Sequence, residues 1–363
     1  MTISVSLRHS FGSFTLDVAF DAPAGVTALF GRSGSGKTTI VNALAGLLTP
    51  DTGRIVADGT VLLDTAARIA LPPNRRRVGY VFQDSRLFPH LTVRQNLLYG
   101  RWFARATVPQ PEPDRIIDLL GIRPLLDRRP GALSGGEKSR VAMGRAILSC
   151  PRLLLMDEPL AALDDARKAE ILPYLERLRD ELALPIIYVS HSTAEVARLA
   201  TTVVMLDAGR VIATGPATDL FGDPTTAPLF GLREAGAILT ATLAAQEDDG
   251  LSRLSTPAGP LWLPRIDAAP GTPLRLRILA QDVMLATTRP EGISALNILP
   301  ATIRDIRMGD GPGALVQLDA GGETLLARVT RRSASNLSLT PGRPVFAILK
   351  AVSVAQENVG GGT

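Results

Sequence analysis

From Ile3 to Phe20 polar and apolar residues alternate, the period of strands with one buried face. Val26 to Phe30 is instead an unbroken apolar run, followed by a Gly-rich loop and, from Thr38 to Leu48, by apolar residues at helical spacing. Together they predict a strand–loop–helix unit. Val78 to Phe82 reads as another short strand. Ser85 to Leu120 is irregular and then helical, with Pro109, Pro111 and Pro113 marking a loop. Glu137 to Ser149 reads as a helix, Leu153 to Met156 as a buried strand, and Arg167 to Leu182 as a helix with Pro173 near its first turns. Ile186 to Ser190 and Thr202 to Leu206 are further strands. Strands alternating with helices imply a mostly parallel α/β sheet.

Around Gly231 the pattern changes. Gly and Pro now punctuate short alternating strands such as Leu274 to Leu279, Ala314 to Leu318 and Val345 to Lys350, the pattern of a small all-β barrel. Three segments are expected: an α/β domain over 1–232, a connecting β region over 233–292 and a barrel over 293–358.

A chain of 363 residues is long enough for such a division. With 45% hydrophobic and 20% charged residues it has the balance of a folded globular protein. Its one cysteine, Cys150, can form no internal disulfide, which suits a reducing compartment. The net charge is only +4, and the arginine groups at 75–77, 128–129 and 331–332 are scattered without interleaved aromatics. They read as solvated faces, so no nucleic-acid partner is expected. No apolar run reaches the ~20 residues of a membrane-spanning helix, and the first residues lack a signal-peptide pattern. Any membrane role would come from docking onto another chain.

Gly31-Arg32-Ser33-Gly34-Ser35-Gly36-Lys37-Thr38-Thr39 fits the phosphate-loop pattern G-x-x-x-x-G-K-[ST]. Its glycines let backbone N–H groups turn inward around phosphate oxygens, and the following helix points its positive end at the same anion. Lys37 adds a mobile charge for the β- and γ-phosphates, and the Thr38 hydroxyl is a ligand for Mg²⁺. Leu153 to Met156 places Asp157 and Glu158 at a strand's carboxyl end, where doubly wound sheets bind ligands. Asp157 would hold Mg²⁺ through water, and Glu158 is the candidate general base.

With Leu133-Ser134-Gly135-Gly136-Glu137 the chain resembles the ABC ATPases, whose signature opens a helix in this way. The fold implied is an ABC-type P-loop NTPase with a helical subdomain. The resemblance implies that Ser134, Gly135 and Gly136 cap an ATP held by the other protomer of a homodimer. The same residues also satisfy a capping box, which does not compete. Gln83 matches the family's glutamine loop, which senses Mg²⁺ and the water, and His191 matches the switch histidine. Ala161-Ala162-Leu163-Asp164 resembles the loop that crosses the dimer interface. An aromatic upstream of the phosphate loop stacks on adenine in this family; Phe11 is the candidate and Phe14 the alternative. Leu87 to Val93 resembles the import-type helical subdomain that receives a helix from a membrane subunit. Two positions depart from the pattern: Ala161 replaces a usual Ser, and Ser139 replaces a frequent Gln.

Residues 293–357 resemble a molybdate-binding (Mop, or TOBE) module, an OB-like barrel, through the Ser294-Ala295-Leu296-Asn297 opening, the Arg331-Arg332-Ser333 turn and the Lys350-Ala351 end. Similar modules hold tetrahedral oxyanions with hydroxyls, backbone N–H groups and a Lys, often between protomers, so Ser294, Asn297, Ser333 and Lys350 are candidates for molybdate. Leu296 stands where the family commonly has Arg.

The two resemblances together imply the ATP- and Mg²⁺-dependent ATPase of an importer for molybdate. Tungstate, sulfate, iron or sugar stay open as cargo. The implied partners are a second copy, two membrane-spanning permease subunits and a periplasmic oxyanion-binding protein, with the chain on the cytoplasmic face of the membrane. A soluble repair-type ABC ATPase is disfavoured because no sustained heptads appear. A non-enzymatic oxyanion store is disfavoured by Lys37, Asp157 and Glu158.

Overall fold

The structure is a computed structural model that describes residues 2–103, 112–161, 163–181, 184–231, 233–309 and 311–361. Of the residues singled out above, Pro109, Pro111, Ala162 and Leu182 lie outside the described residues. The chain divides into two compact units, one of residues 1–192 with 200–214 and one of residues 193–199 with 215–363.

The first unit is built on an 11-stranded sheet. Its strands are β1 (Ile3–Phe11), β2 (Phe14–Ala22), β3 (Val26–Gly31), β4 (Thr52–Ala57), β5 (Thr60–Asp64), β6 (Ile69–Ala70), β7 (Val78–Val81), β8 (Leu153–Asp157), β9 (Ile186–Ser190), β10 (Thr202–Asp207) and β11 (Arg210–Pro216). The spatial order is β6-β5-β4-β1-β2-β11-β10-β3-β9-β8-β7. The alternating N-terminal strands pair antiparallel, whereas β10, β3, β9, β8 and β7 run parallel. The parallel strands are mostly apolar, as strands of a sheet buried on both faces are; β8 and β9 are buried at every position.

The phosphate-loop helix Lys37–Ala45 buries Ile40, Val41 and Leu44 in the same apolar cluster as Leu29, Leu155, Ile187 and Val204. Its carboxyl end is capped from outside. The buried Arg76 guanidinium donates to the Ala43 and Leu44 carbonyls at 2.6 and 3.0 Å. A cation at orphan carbonyls is worth up to about 2 kcal/mol when partly buried. The helix Asp165–Glu181 runs through Pro173, although a proline there removes one backbone bond. Burial of Ile171, Leu172, Leu175 and Leu178 on either side holds it together. Among the described residues no helix is long and apolar enough to cross a membrane.

The C-terminal β part forms two five-stranded sheets. One has β12 (Gly236–Gln246), β13 (Leu251–Thr256), β14 (Gly259–Pro264), β15 (Pro273–Leu279) and β21 (Val359–Gly361). The other has β16 (Met284–Ala286), β17 (Asn297–Met308), β18 (Gly313–Ala320), β19 (Glu323–Thr330) and β20 (Pro344–Leu349). The segments overlap: β16, before residue 293, pairs with β20, and the final β21 returns to β15. Leu243, Leu254, Leu276, Ile303, Leu318 and Ala347 share one core. Residues 331–333, expected as a turn, open a short helix, Arg331–Asn336, because the Thr330 hydroxyl accepts from the Ser333 N–H and caps it.

Candidate nucleotide site

The parallel register brings distant motifs together. Phe30 lies beside Ser190, Asp157 beside Val189, and Val81 beside Met156. The phosphate loop, His191, Asp157-Glu158 and Gln83 therefore emerge at the carboxyl ends of adjacent strands β3, β9, β8 and β7, as expected for a ligand crevice.

The loop folds back on itself, the Ser35 N–H donating to the Arg32 carbonyl at 3.2 Å. Gly36 has φ 101°, and a Cβ there would sit 2.6 Å from Leu16, so only glycine fits. Lys37 is buried, and its Nζ donates to the Gly31 and Arg32 carbonyls at 2.8 and 3.0 Å. Burial lowers its pKa, while the Glu158 and Asp157 carboxylates act the other way. The Nζ is held over the loop it serves.

Asp157 is buried at the end of β8. The Thr38 hydroxyl donates to its Oδ1 at 3.3 Å, and the Tyr80 phenol lies 3.3 Å from its Oδ2. Burial raises the Asp157 pKa; the Thr38 and Tyr80 hydrogen bonds oppose that, Glu158 adds to it, and Lys37 opposes it. A desolvated carboxylate beside an exposed hydroxyl is an all-oxygen pair of hard donors, the set Mg²⁺ uses when phosphates and water complete its shell. The residues present thus fit that ion.

Glu158 takes φ 46°, an uncommon conformation for a side-chain-bearing residue. Its N–H is fixed on the Val189 carbonyl at 3.1 Å, and its carboxylate meets His191 Nδ1 at 3.4 Å. The strained turn sends the carboxylate away from Asp157's partners and into the cleft. That cleft, about 390 Å³, is lined by Phe11, Phe14, Ser33, Gly34, Gly36, Lys37, Thr38, Thr39, Gln83 and Glu158. Phe11 is exposed and packs edge-on against His9, with ring centroids 4.3 Å apart; Phe14 is half-buried beneath Gly36.

Ser134, Gly135, Gly136 and Asp164 are not part of this lining. Ser134 caps the helix Gly135–Leu148: its Oγ accepts from the Glu137 N–H at 3.3 Å, and its N–H donates to Glu137 at 2.7 Å. Asp164 likewise accepts from the Arg167 N–H at 2.9 Å at the start of the next helix.

The ABC transporter family model matches residues 16–161, and the TOBE domain model matches residues 293–356. A molybdenum import ATP-binding protein, ModC, of Rhizobium etli is 56% identical over 357 residues, 98% of this chain and 99% of that protein. The chain belongs to the ModC family of ABC transporter ATP-binding proteins. The ModC of Paramagnetospirillum magneticum is 47% identical over 358 residues, again 98% of this chain and 99% of its own length. A nucleotide-free ATP-binding cassette from an ABC transporter superposes with a TM-score of 0.52 at 24% identity, covering 63% of this chain and 99% of that one, which shows the fold.

Within this ModC-family chain, Ser139 has a structural partner. It is buried, and its hydroxyl donates to the Pro159 carbonyl at 3.1 Å, tying the signature helix to the turn after Glu158. Sequence reading saw only a missing Gln there. It also missed Tyr80 and Asn42, which in sequence read as ordinary strand and helix residues.

The C-terminal candidates are not assembled within one chain. Asn297 is fully buried; its Oδ1 accepts from the Trp262 N–H at 2.7 Å and its Nδ2 donates to the Trp262 carbonyl at 2.9 Å. Its side chain thus clasps β14 to β17, a structural task its motif did not announce. Ser294 and Lys350 are exposed and flank the Asn297–Leu349 pair at one end of β17. Ser333 follows β19, whose Thr330 pairs with Gly313 at the other end of that 12-residue strand. Leu296 is exposed.

Proposed function

We propose that this chain is the ATP-hydrolysing subunit of a molybdate importer, working as a head-to-tail homodimer with two ATP sites. The observation that carries the reading is the gathering of the phosphate loop, Gln83, Asp157, Glu158 and His191 on adjacent strand ends. The loop's N–H groups and Lys37 bind the β- and γ-phosphates. Thr38 and Asp157, with Gln83 nearby, hold Mg²⁺, which neutralises charge on the phosphates. Glu158 accepts a proton from the water that attacks the γ-phosphorus; the bond to the bridging oxygen breaks and ADP leaves. His191 orients Glu158 through the Nδ1 contact. Phe11 stacks on adenine from the cleft's rim.

Ser134, Gly135, Gly136 and Asp164 act on the other copy's nucleotide. Their position outside the lining of the phosphate-loop cleft supports this, because the signature helix presents an exposed, capped N-terminus away from that lining. Closure on ATP moves two permease subunits at the cytoplasmic face of the membrane, and a periplasmic oxyanion-binding protein delivers the cargo. The C-terminal module takes molybdate between two copies, Ser294 and Lys350 coming from one and Ser333 from the other. The exposed Leu296 and spent Asn297 favour a second reading, in which the module only stabilises the dimer.

ATP-driven uptake of radiolabelled molybdate by vesicles holding this chain and its permease tests the cargo, with sulfate in parallel. Uptake of sulfate but not molybdate overturns it. Calorimetry of the full chain with molybdate separates the two readings of the module.

A further inference from the structure

Tyr80 is not part of the phosphate loop, yet it touches the residue that reads as the metal ligand. On β7, Gly79 and Val81 point away: a Cβ on Gly79 would meet the signature helix's Ala146 carbonyl. Tyr80 faces the other way and packs with the cluster that contains Ile40, Val41 and Leu44 of the phosphate-loop helix. Its ring stacks on Phe82, centroids 3.9 Å apart at 23°, and Arg86 covers Phe82 at 4.2 Å. Stacking on Phe82 and packing against the helix cluster restrain the Tyr80 ring, and with it the place of its hydroxyl.

That place lies between two oxygens. The phenol is 3.3 Å from Asp157 Oδ2 and 3.2 Å from Asn42 Oδ1. The phenol has one proton for which the two oxygens compete. The carboxylate, being charged, is the stronger one. The Asn42 amide then turns its NH₂ toward the phenol oxygen, since amide orientation follows the network. Asn42 stands one turn after Thr38 on the same helix face, and Thr38 donates to the other oxygen of Asp157. Thr38, Asp157, Tyr80 and Asn42 form a continuous chain of polar contacts beside the apolar cluster of the phosphate-loop helix.

We infer that Tyr80, oriented by Asn42, is a positioning residue for the metal site: it holds Asp157 Oδ2 so that Oδ1 stays aimed at the Thr38 hydroxyl and the ion. Without the phenol, the buried carboxylate loses one of its two hydrogen bonds and can rotate about its own axis. Groups in this outer position are worth about 10–100-fold in metal affinity. The inference rests on the reading of Thr38 and Asp157 as the Mg²⁺ ligands.

The test uses the full chain and a fluorescent ATP analogue, titrated once in excess EDTA and once in saturating Mg²⁺. The quantity read is the gain in nucleotide affinity that Mg²⁺ confers; by linkage it equals the gain in metal affinity that nucleotide confers. In Tyr80→Phe, which keeps the ring stack, affinity in EDTA is expected to stay within about twofold, while the Mg²⁺-conferred gain falls about tenfold or more. An unchanged gain overturns the role of Tyr80, as does an equal loss with and without metal, which marks a fold defect. If the wild-type chain itself gains nothing from Mg²⁺, the metal reading of Thr38 and Asp157 fails instead. Should Tyr80→Phe not fold, Asn42→Leu carries the same test: a metal-selective loss supports the proposal, and wild-type metal dependence overturns it.

Discussion

Replacing Glu158 by Gln removes one proton-accepting group and almost nothing else. The residue sits at φ 46°, a conformation Gln tolerates as Glu does, and its N–H bond to Val189 does not involve the side chain. The shape of the turn is therefore kept. No neighbour can take over. Asp157 accepts from Thr38 at 3.3 Å and is met by Tyr80 on its other oxygen. His191 Nδ1 meets the Glu158 carboxylate itself, at 3.4 Å. Loss of a positioned general base costs about 10²–10⁴-fold, and each tenfold is about 1.4 kcal/mol of barrier. Turnover of Glu158→Gln is expected to fall by about 10²-fold or more. Binding should not fall with it, because the change deletes a negative charge beside the phosphates. Phosphate release at saturating ATP measures the first effect, and size-exclusion chromatography with ATP measures the second as an accumulated dimer. Hydrolysis near the wild-type rate would mean that another group activates the water, and the assignment of Glu158 would be withdrawn.

Lys37→Ala is expected to weaken nucleotide binding itself, since Nζ sits over the loop in the ground state; equilibrium titration with a fluorescent ATP analogue decides, and unchanged affinity refutes the role. Ser134→Arg should spare binding by each protomer but block closure, and mixing it with Lys37→Ala protein should restore part of the activity if the signature acts on the partner's nucleotide. Asn297→Ala strands the Trp262 N–H and carbonyl, at about 1–3 kcal/mol per unpaired group, so a thermal melt should show Tm lower by several degrees; an unchanged Tm with lost molybdate binding would return Asn297 to the ligand set. Glu234, whose carboxyl the Arg277 guanidinium and then the Thr193 hydroxyl hold below the ordinary 4.5, stabilises the fold above that value, and the contribution is lost as pH falls through its lowered pKa. Melts of Glu234→Gln against wild type should therefore differ at neutral pH and converge as pH falls through that lowered pKa; a constant difference refutes the ion pair's role.

How much of this was legible in the sequence depends on what each feature needs. The phosphate loop needs glycines at particular backbone conformations, and Gly34 and Gly36, both at positive φ, write that need directly. The apolar run ahead of Asp157 announces a buried strand, and a buried strand's carboxyl end is where a ligand meets the sheet. The four-strand neighbourhood was not legible. It depends on which strands pair, and β3 and β8 turn out to be separated by β9, which comes later in the chain than either. Tyr80 was invisible for a related reason: an aromatic in a strand reads as packing, and only the packing of β7 beside β8 and the phosphate-loop helix gives its hydroxyl a task.

The C-terminal module shows the same limit more sharply. A string of Ser, Asn and Lys gives the donors an oxyanion wants, but a sequence does not say which donors are already spent. Asn297 is spent on Trp262, because a chain passing between two sheets must satisfy the backbone groups it buries there. Ser333 is spent in part on the cap at Thr330, 2.8 Å away. Among the described residues, Ser294 and Lys350 are exposed at one end of β17, and the start of the helix Arg331–Asn336 is exposed near the other. Two half-sets on opposite ends of one strand cannot close around a single small anion. Two copies related by a two-fold axis can bring one chain's first half-set against the other's second, giving two equivalent sites. An anion bound there would depend on the dimer, and by reciprocity would stabilise whichever dimer state presents both half-sets.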